Sequence, residues 1–465
     1  MTIAKKKILL ISYHFPPSPA IGGVRIFNFA KNLPSFGFET SVLTIDDRYL
    51  DKLDKSRLED IKGLNIVKTF KLPKLTRAYI RLKRLLKKDA SGKAGAASPA
   101  LSSSGRDVQE GLGRRLRRYA KSFLTLPDGE RNWVLPAAFR ALRMIRRDGI
   151  DCVITSCPPY SVHLIGLYLK TLTGVKWIAD FRDPWMTTGS KRLYQTCALS
   201  LRIERWIEEQ VVKRSDMVLF NTSNLRDEYR KRYASEPERK FVHAPNGFDP
   251  AAFSKYRGLD RFTEFTITYT GSLYLGRTPE PVFAALKLLI EEGKIMPKEL
   301  RVKLIGNCRS IGGAAAQTVI DSYGLASSVE VSDAVPYSRA VEIISRSHLA
   351  LVLAPDQPYQ IPAKVYDYIG AGSRILAITE KGATTDFVDS TGAGRAFCPS
   401  DVKGIKAFIY SSFLNRAQPR AGSNENCAGL DAASVAEALA GQINNVVFAG
   451  GSPGRVISGV SYQKR

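Results

Sequence analysis

The sequence predicts an α/β protein built from two consecutive doubly wound domains. Short apolar, β-branched runs alternate with stretches long enough for a crossover helix, the pattern of a buried parallel sheet. The alternation fills the first half of the chain and starts again in the second. A length of 465 residues also exceeds what one hydrophobic core usually organises.

In order, the first-half strands are expected at Ile8–Ile11, Thr40–Thr44, Cys152–Ile154, Trp177–Ala179 and Met217–Phe220. The second-half strands are expected at Thr266–Tyr269, Val302–Ile305, Val329–Val331, Leu349–Leu353 and Ile375–Ile378. In such sheets ligands sit outside the strand C-termini, so the crevice is expected where the strand ends of the two domains face each other. Turn formers at Ala244-Pro245-Asn246-Gly247-Phe248-Asp249 suit a hinge. The expected organisation is an N-terminal domain over 1–243 with a basic, partly disordered insertion at 70–125, and a linker over 244–262. A C-terminal domain over 263–415 and a helix with a loose tail over 416–465 complete it. Residues 90–107 are small and polar and cannot bury enough area to fold.

Composition narrows the function. Hydrophobic residues make up 44% and charged residues 24%, which excludes a disordered, collagenous or disulfide-stapled chain. The six cysteines show no CxxC spacing and fit a reducing cytosol. Four scattered histidines leave little from which to build an imidazole metal site, and no metal or other cofactor is expected. The lysines and short apolar run of the amino terminus meet Pro16-Pro17 without a cleavage site, and no stretch is long enough to span a membrane.

The formal net charge of +25 calls for anionic partners. Leu75, Tyr79, Leu82 and Leu86 step with helical spacing opposite Arg77, Arg81, Arg84 and Lys88. Leu112, Leu116, Tyr119 and Phe123 repeat this against Arg114, Arg118 and Lys121. One reading is a pair of surface helices with apolar faces on the core. The other is a pair of interfacial helices over 74–88 and 112–123 lying on an anionic membrane surface. No DNA- or RNA-reading motif accompanies these patches, so nucleic acid is not an expected partner.

Candidate chemistry clusters after strands. Gly22 and Gly23 follow Ser12-Tyr13-His14-Phe15-Pro16-Pro17 and open an apolar helix, where a backbone can approach a diphosphate closely, though a plain turn fits equally. The loop is not GxGxxG, which argues against a nicotinamide oxidoreductase. Tyr269-Thr270-Gly271-Ser272-Leu273 leads to Gly276-Arg277, and Lys364 stands three residues before Asp367 near a helix start. Such a cation and acid can neutralise a phosphate and hold sugar hydroxyls, or form an ordinary surface pair. Asp180-Phe181-Arg182-Asp183-Pro184-Trp185 offers acids, a cation and an aromatic for an acceptor sugar. An internal Asp180–Arg182 pair beside a buried Trp is the alternative. His14 suits either acceptor binding or a structural hydrogen bond, and His163, His243 and His348 read as structural.

SYHFPPSPAIGGVR, DFRDPW, APNGFD, YTGSL and IPAKVYDYIGAG, in this order, resemble the bacterial family-four-like glycosyltransferases of the GT-B fold. The resemblance runs from about Lys7 to about Asp386, interrupted near 70–125. It implies two Rossmann-like domains facing across a cleft. It further implies retaining, metal-independent transfer of a sugar from a nucleotide-sugar donor to a glycan, often lipid-linked, in surface polysaccharide synthesis. It makes Gly22, Gly23, Gly271, Ser272 and Asp367 donor-binding, Arg277, Lys364 and Asp183 catalytic, and His14, Arg182 and Trp185 acceptor-binding. The family often has two glutamates separated by seven residues, whereas here Tyr359 stands eight before Asp367. The expected location is the cytoplasmic face of the membrane, attached peripherally. A nucleotide-sugar epimerase of the same fold and a non-catalytic nucleotide-sugar-binding partner are the alternatives.

Overall fold

The computed structural model describes residues 5–73, 126–186, 198–256, 258–274, 276–418 and 427–449. Both basic segments, over 74–88 and 112–123, lie outside the described residues. By contact density the chain divides into two compact units, 1–26 with 38–218 and 27–37 with 219–465.

The first sheet contains β1 (Lys6–Ser12), β2 (Phe38–Ile45), β3 (Asn65–Thr69), β4 (Cys152–Cys157), β5 (Lys176–Phe181), β6 (Met217–Phe220) and β7 (Phe241–His243). Its order is β3-β2-β1-β4-β5-β6-β7, and β1 pairs in parallel with both β2 and β4. Chain direction across the sheet therefore reverses between β1 and β4, the switch point at which such sheets open a crevice. Helices α1 (Gly22–Asn32), α2 (Val134–Asp148), α3 (Val162–Thr173), α4 (Ala198–Arg214) and α5 (Ser223–Arg232) make connections. On α2 the stripe Ala137, Ala138, Ala141 and Met144 joins a core with Leu9, Ile11, Leu43 and Trp133. Gly149 and Gly174 end α2 and α3 at φ +68°, where a Cβ would be strained.

The second sheet contains β8 (Phe265–Thr270), β9 (Leu300–Ile305), β12 (Val329–Ser332), β13 (Leu349–Leu353), β14 (Arg374–Ile378) and β15 (Gly394–Phe397). Between β9 and β12, β10 (Ser310–Ile311) and β11 (Ala314–Ala315) form a small antiparallel ribbon. The main order is β12-β9-β8-β13-β14-β15, all parallel, with its own reversal between β8 and β13. Helices α6 (Glu280–Glu291), α7 (Tyr337–Arg346), α8 (Lys364–Gly370), α9 (Ala383–Thr391), α10 (Val402–Leu414) and α11 (Ala432–Gln442) accompany it. Asp431 caps α11 by accepting from the amides of Ala433 and Ser434, and α11 packs on the short turn Leu33–Phe36. In the stretch expected to be a linker, Phe253 and Tyr256 are buried in a core with Val352 and Val365.

The strands expected from sequence are all present. Among the described residues five others are additional: β3, β7 and β15, each at a sheet edge, and the two-residue strands β10 and β11 of the small ribbon. β3 and β15 are largely half-buried, so their sequences lack the continuous apolar run of a central strand. Among the described residues no helix is long and apolar enough to cross a membrane.

The alternative internal pair Asp180–Arg182 is not formed. Asp180, at the end of β5, instead takes Arg25 from α1 at 3.0–3.1 Å and the Ser156 hydroxyl at 2.7 Å, with both charged side chains almost wholly buried. Removing one partner of such a pair strands the other charge out of water. Asp180→Ala is expected to cost about 3–5 kcal/mol, read as a lowered denaturation midpoint. A midpoint shift worth less than about 1 kcal/mol would show that Arg25 finds water instead.

Candidate functional site

The second unit gathers a cationic cradle at its switch point. β8 ends in Thr270, and Gly271 turns the chain at φ +139°, a conformation that L side chains rarely adopt. The Gly271 amide donates to the Ile305 carbonyl at 2.8 Å, and the Leu273 amide donates to the Asn307 carbonyl at 3.0 Å, so two strand-end loops are stitched together. Gly306 is obligatory here, since a Cβ would fall 2.2 Å from the Gly271 carbonyl oxygen.

Lys364 reaches this turn from the start of α8. Its ammonium donates to the Thr270 carbonyl at 2.5 Å and lies 4.0 Å from the centroid of the Tyr269 ring. It also fills the space a side chain at residue 271 would take, with Nζ 2.8 Å from the Cβ position. Burial, reinforced by the nearby Arg277 charge, lowers the Lys364 pKa from 10.5 to about 7. The Arg277 guanidinium stacks 4.5 Å from the Tyr274 ring centroid, and among the described residues its buried Nε meets no hydrogen-bond partner. The Tyr269 hydroxyl donates to the Ser272 carbonyl at 2.9 Å, which fixes the loop. Asp367 lies one turn along α8 and accepts from the Tyr337 hydroxyl at 3.0 Å. The Tyr359 carbonyl, where the resemblance places an acid, accepts from the Thr222 hydroxyl at 2.7 Å. Gly271, Ser272, Arg277, Lys364 and Asp367 are thus brought to one place.

The first unit holds the remaining predicted residues around its own switch point. Gly22 and Gly23 begin α1. A Cβ on Gly22 would lie 2.5 Å from the Arg182 guanidinium, and one on Gly23 would lie 3.1 Å from the Phe15 backbone. The close approach these glycines allow is made here by Arg182 and the loop after β1. Arg182 donates to the carbonyls of Cys157 at 2.7 Å and Pro158 at 2.8 Å. His14 is kept below its ordinary pKa by burial and by Arg182, and is therefore a neutral imidazole at pH 7. Asp183 is half-buried beside Arg182.

Trp185 corrects the sequence reading. It is fully buried, stacked on Tyr160 at 5.0 Å, and its indole N–H donates to Glu204 at 2.7 Å. No face of the ring is offered to a sugar, so it is a core residue. His163 is buried too, with Nδ1 2.8 Å from the Thr155 hydroxyl and its pKa lowered by burial to about 3. Sequence reasoning also passed over a cavity of about 950 Å³ lined by Tyr13, His14, Tyr49, Lys71 and Glu130. Lys71 stands at the start of the expected insertion and Glu130 just beyond its end, and no local spacing links them.

Among the described residues no group of three or more His, Cys, Asp or Glu side chains converges on a possible metal position. The cradle presents cations and main-chain turns, groups whose chemistry can hold an anion such as a diphosphate. An anion stabilises the charged form of Lys364, so binding above pH 7 must take up a proton. The affinity for a nucleoside diphosphate is therefore expected to be greatest at and below about pH 7. It should then weaken by up to about tenfold per pH unit as the free lysine deprotonates. Titration calorimetry in buffers of different ionisation enthalpy checks this, and Lys364→Arg, which stays charged, should flatten the profile.

Residues 100–252 match the family model described as Glycosyltransferase Family 4. No curated protein sequence matches the chain. Among solved structures, HepE of Anabaena in complex with UDP and glucose aligns at TM-score 0.59 and 12% identity, covering 95% of this chain and 100% of that one. Sucrose-phosphate synthase of Thermosynechococcus elongatus aligns at 0.60 and 13%, covering 96% and 100%. WaaG, a glycosyltransferase involved in lipopolysaccharide biosynthesis, aligns at 0.53 and 14%, covering 96% and 100%. The matched region is that of a glycosyltransferase family, and the two-domain parallel-sheet fold is the GT-B fold shared with these structures.

Proposed function

We propose that the chain transfers a sugar from a nucleotide-sugar donor to a glycan acceptor with retention of anomeric configuration and without a metal ion. The observation that carries this reading is the Lys364 ammonium held against the Thr270 carbonyl beneath Gly271, with Arg277 close enough to depress its pKa. Two cations there can offset charge developing on a leaving diphosphate, the role a divalent ion fills elsewhere. HepE has been seen with UDP-glucose, which favours a uridine diphosphate donor. In this reading Asp367 receives ribose hydroxyls and Asp183 orients the acceptor, roles that rest on the motif resemblance. The lipid-linked acceptor, the role in surface polysaccharide and the peripheral cytoplasmic location rest on the motif resemblance and the spacing within 74–88 and 112–123.

Turnover of a UDP-sugar should survive EDTA. Lys364→Ala should lower it about 100-fold or more with the fold intact, since one preorganised donor at a developing anion contributes about 2.7–4 kcal/mol. Loss of activity on chelation, restored by Mn²⁺, would sink the metal-free mechanism. A loss below about tenfold in Lys364→Ala would remove the lysine from it.

The membrane proposal is checked separately. The chain should sediment with vesicles of anionic phospholipid at low salt and be released as salt shortens the Debye length below about 10 Å. Gln substitution of Arg77, Arg81, Arg84, Arg114 and Arg118 should abolish sedimentation. A wild-type chain that stays in the supernatant with those vesicles refutes attachment.

A further inference from the structure

Helix α8 reaches the end of β8 with two side chains one turn apart. Lys364 and Tyr368 stand four residues from each other, which puts them on one face of the helix. Lys364 donates to the Thr270 carbonyl, and the Tyr368 hydroxyl lies 3.2 Å from the Thr270 hydroxyl. The same phenol donates to the Leu351 carbonyl on β13 at 3.4 Å, which leaves its oxygen to accept from Thr270. Thr270 is thus gripped at its main chain by the cation and at its side chain by the phenol.

This grip falls where the second sheet opens. The register pairs Leu349 of β13 with Ile267 of β8 and Ala350 with Thr268. Past those pairs β8 runs on to Thr270 and β13 to Leu353. There the phenol joins the two strands, since Thr270 ends one and Leu351 belongs to the other. Tyr368 is fully buried, and a hydroxyl at that depth needs a partner. Both of its partners lie on the strands that part. Burial also pushes the phenol's pKa up, so it stays protonated and neutral.

Among the described residues the Lys364 ammonium has the Thr270 carbonyl as its hydrogen-bond acceptor and the Tyr269 ring beside it. The titratable and charged groups around it are Arg277, Cys308 and Asp367. A turn of the Thr270 peptide would carry the ammonium with it or leave it without an acceptor. We propose that Tyr368 is a positioning residue for Lys364: through Thr270 it fixes the carbonyl on which the ammonium rests, and so sets where the cation meets an anion in the cradle. The inference rests on the reading of the cradle as the donor diphosphate site.

Carbon-13 NMR of the lysine side chains in the full chain tests it, with the Lys364 Cε signal identified by its loss in Lys364→Arg. In the wild type that signal should titrate with a midpoint of about 7. Tyr368→Phe keeps the ring and removes its hydroxyl. Thr270→Val keeps the carbonyl and removes the other hydroxyl, which guards against a misfolded first variant. A hydrogen bond to the charged form favours that form, so a carbonyl no longer held in place disfavours the ammonium. Both variants should therefore lower the midpoint by about 0.5 unit or more, part of the worth of one hydrogen bond. Tyr366→Phe is the same change two residues away, where the ring packs on Phe387, and should leave the midpoint in place. By calorimetry at pH 7, UDP should bind Tyr368→Phe about fivefold or more weakly than the wild type. Added to Lys364→Met, Tyr368→Phe should cause no such loss, because its effect passes through the lysine. An unchanged or raised midpoint in either folded hydroxyl variant overturns the proposal. So does an equal shift in Tyr366→Phe, or an undiminished loss of UDP affinity on the Lys364→Met background. Absent UDP binding by the wild type strikes at the proposed activity alone, and the Lys364 titration still decides the positioning.

Discussion

From β3 through β2, β1 and β4 to β5, and across all six strands of the second sheet, neighbours run parallel. Parallel strands cannot be joined by tight hairpins, so each returns through a crossover, and every strand ends on the same side of its sheet. The loops leaving those ends are the part of each domain where side chains from distant sequence meet without disturbing the core. Tyr13 and His14 after β1, Lys71 after β3 and Arg182 after β5 are gathered in this way. So are Gly271 after β8 and Gly306 after β9. Reversal of strand order beside β1 and beside β8 then parts the loops and leaves room for a ligand.

Two cations, one buried and one half-buried, show how differently such ends are used. Arg25 is met by a carboxylate that also takes a serine hydroxyl, so its charge is balanced within the protein. Lys364 is met by a neutral carbonyl and an aromatic ring. Taking an ammonium out of water costs several kcal/mol unless an anion answers it, and the lowered pKa of Lys364 is that imbalance expressed as a proton affinity. The first cation is structural, while the second, on the proposed reading, is the one a donor diphosphate would answer.

Central strands were legible in the sequence because burial on both faces writes a continuous apolar run, as in Leu349–Leu353. The edge strands β3 and β15 are only half-buried and write no such run, so they could not be read, whereas the edge strand β12 still carries the pair Val329 and Val331. The donor-side residues were readable because Gly271 and Lys364 belong to short, ordered motifs. The Trp185 reading failed because an aromatic after a strand looks alike whether it faces a ligand or, as here, Tyr160 and Glu204. The pairing of Arg25 with Asp180 and of Lys71 with Glu130 joins residues far apart in the chain, and only the strand order brings them together.

The stitching of Gly271 to Ile305 and of Leu273 to Asn307 is made entirely of main chain, and Gly306 admits no Cβ against it. These two main-chain bonds do not depend on which side chains the loops carry, while the Tyr269 hydroxyl and Lys364 brace the same turn from outside. Side chains at 272 and 307 can change without breaking these main-chain bonds, whereas a side chain at 306 would collide with the Gly271 carbonyl and one at 271 would be strained. A scaffold of this kind separates the inheritance of shape from the inheritance of preference. Chains can then keep one architecture at very low sequence identity while exchanging what they handle.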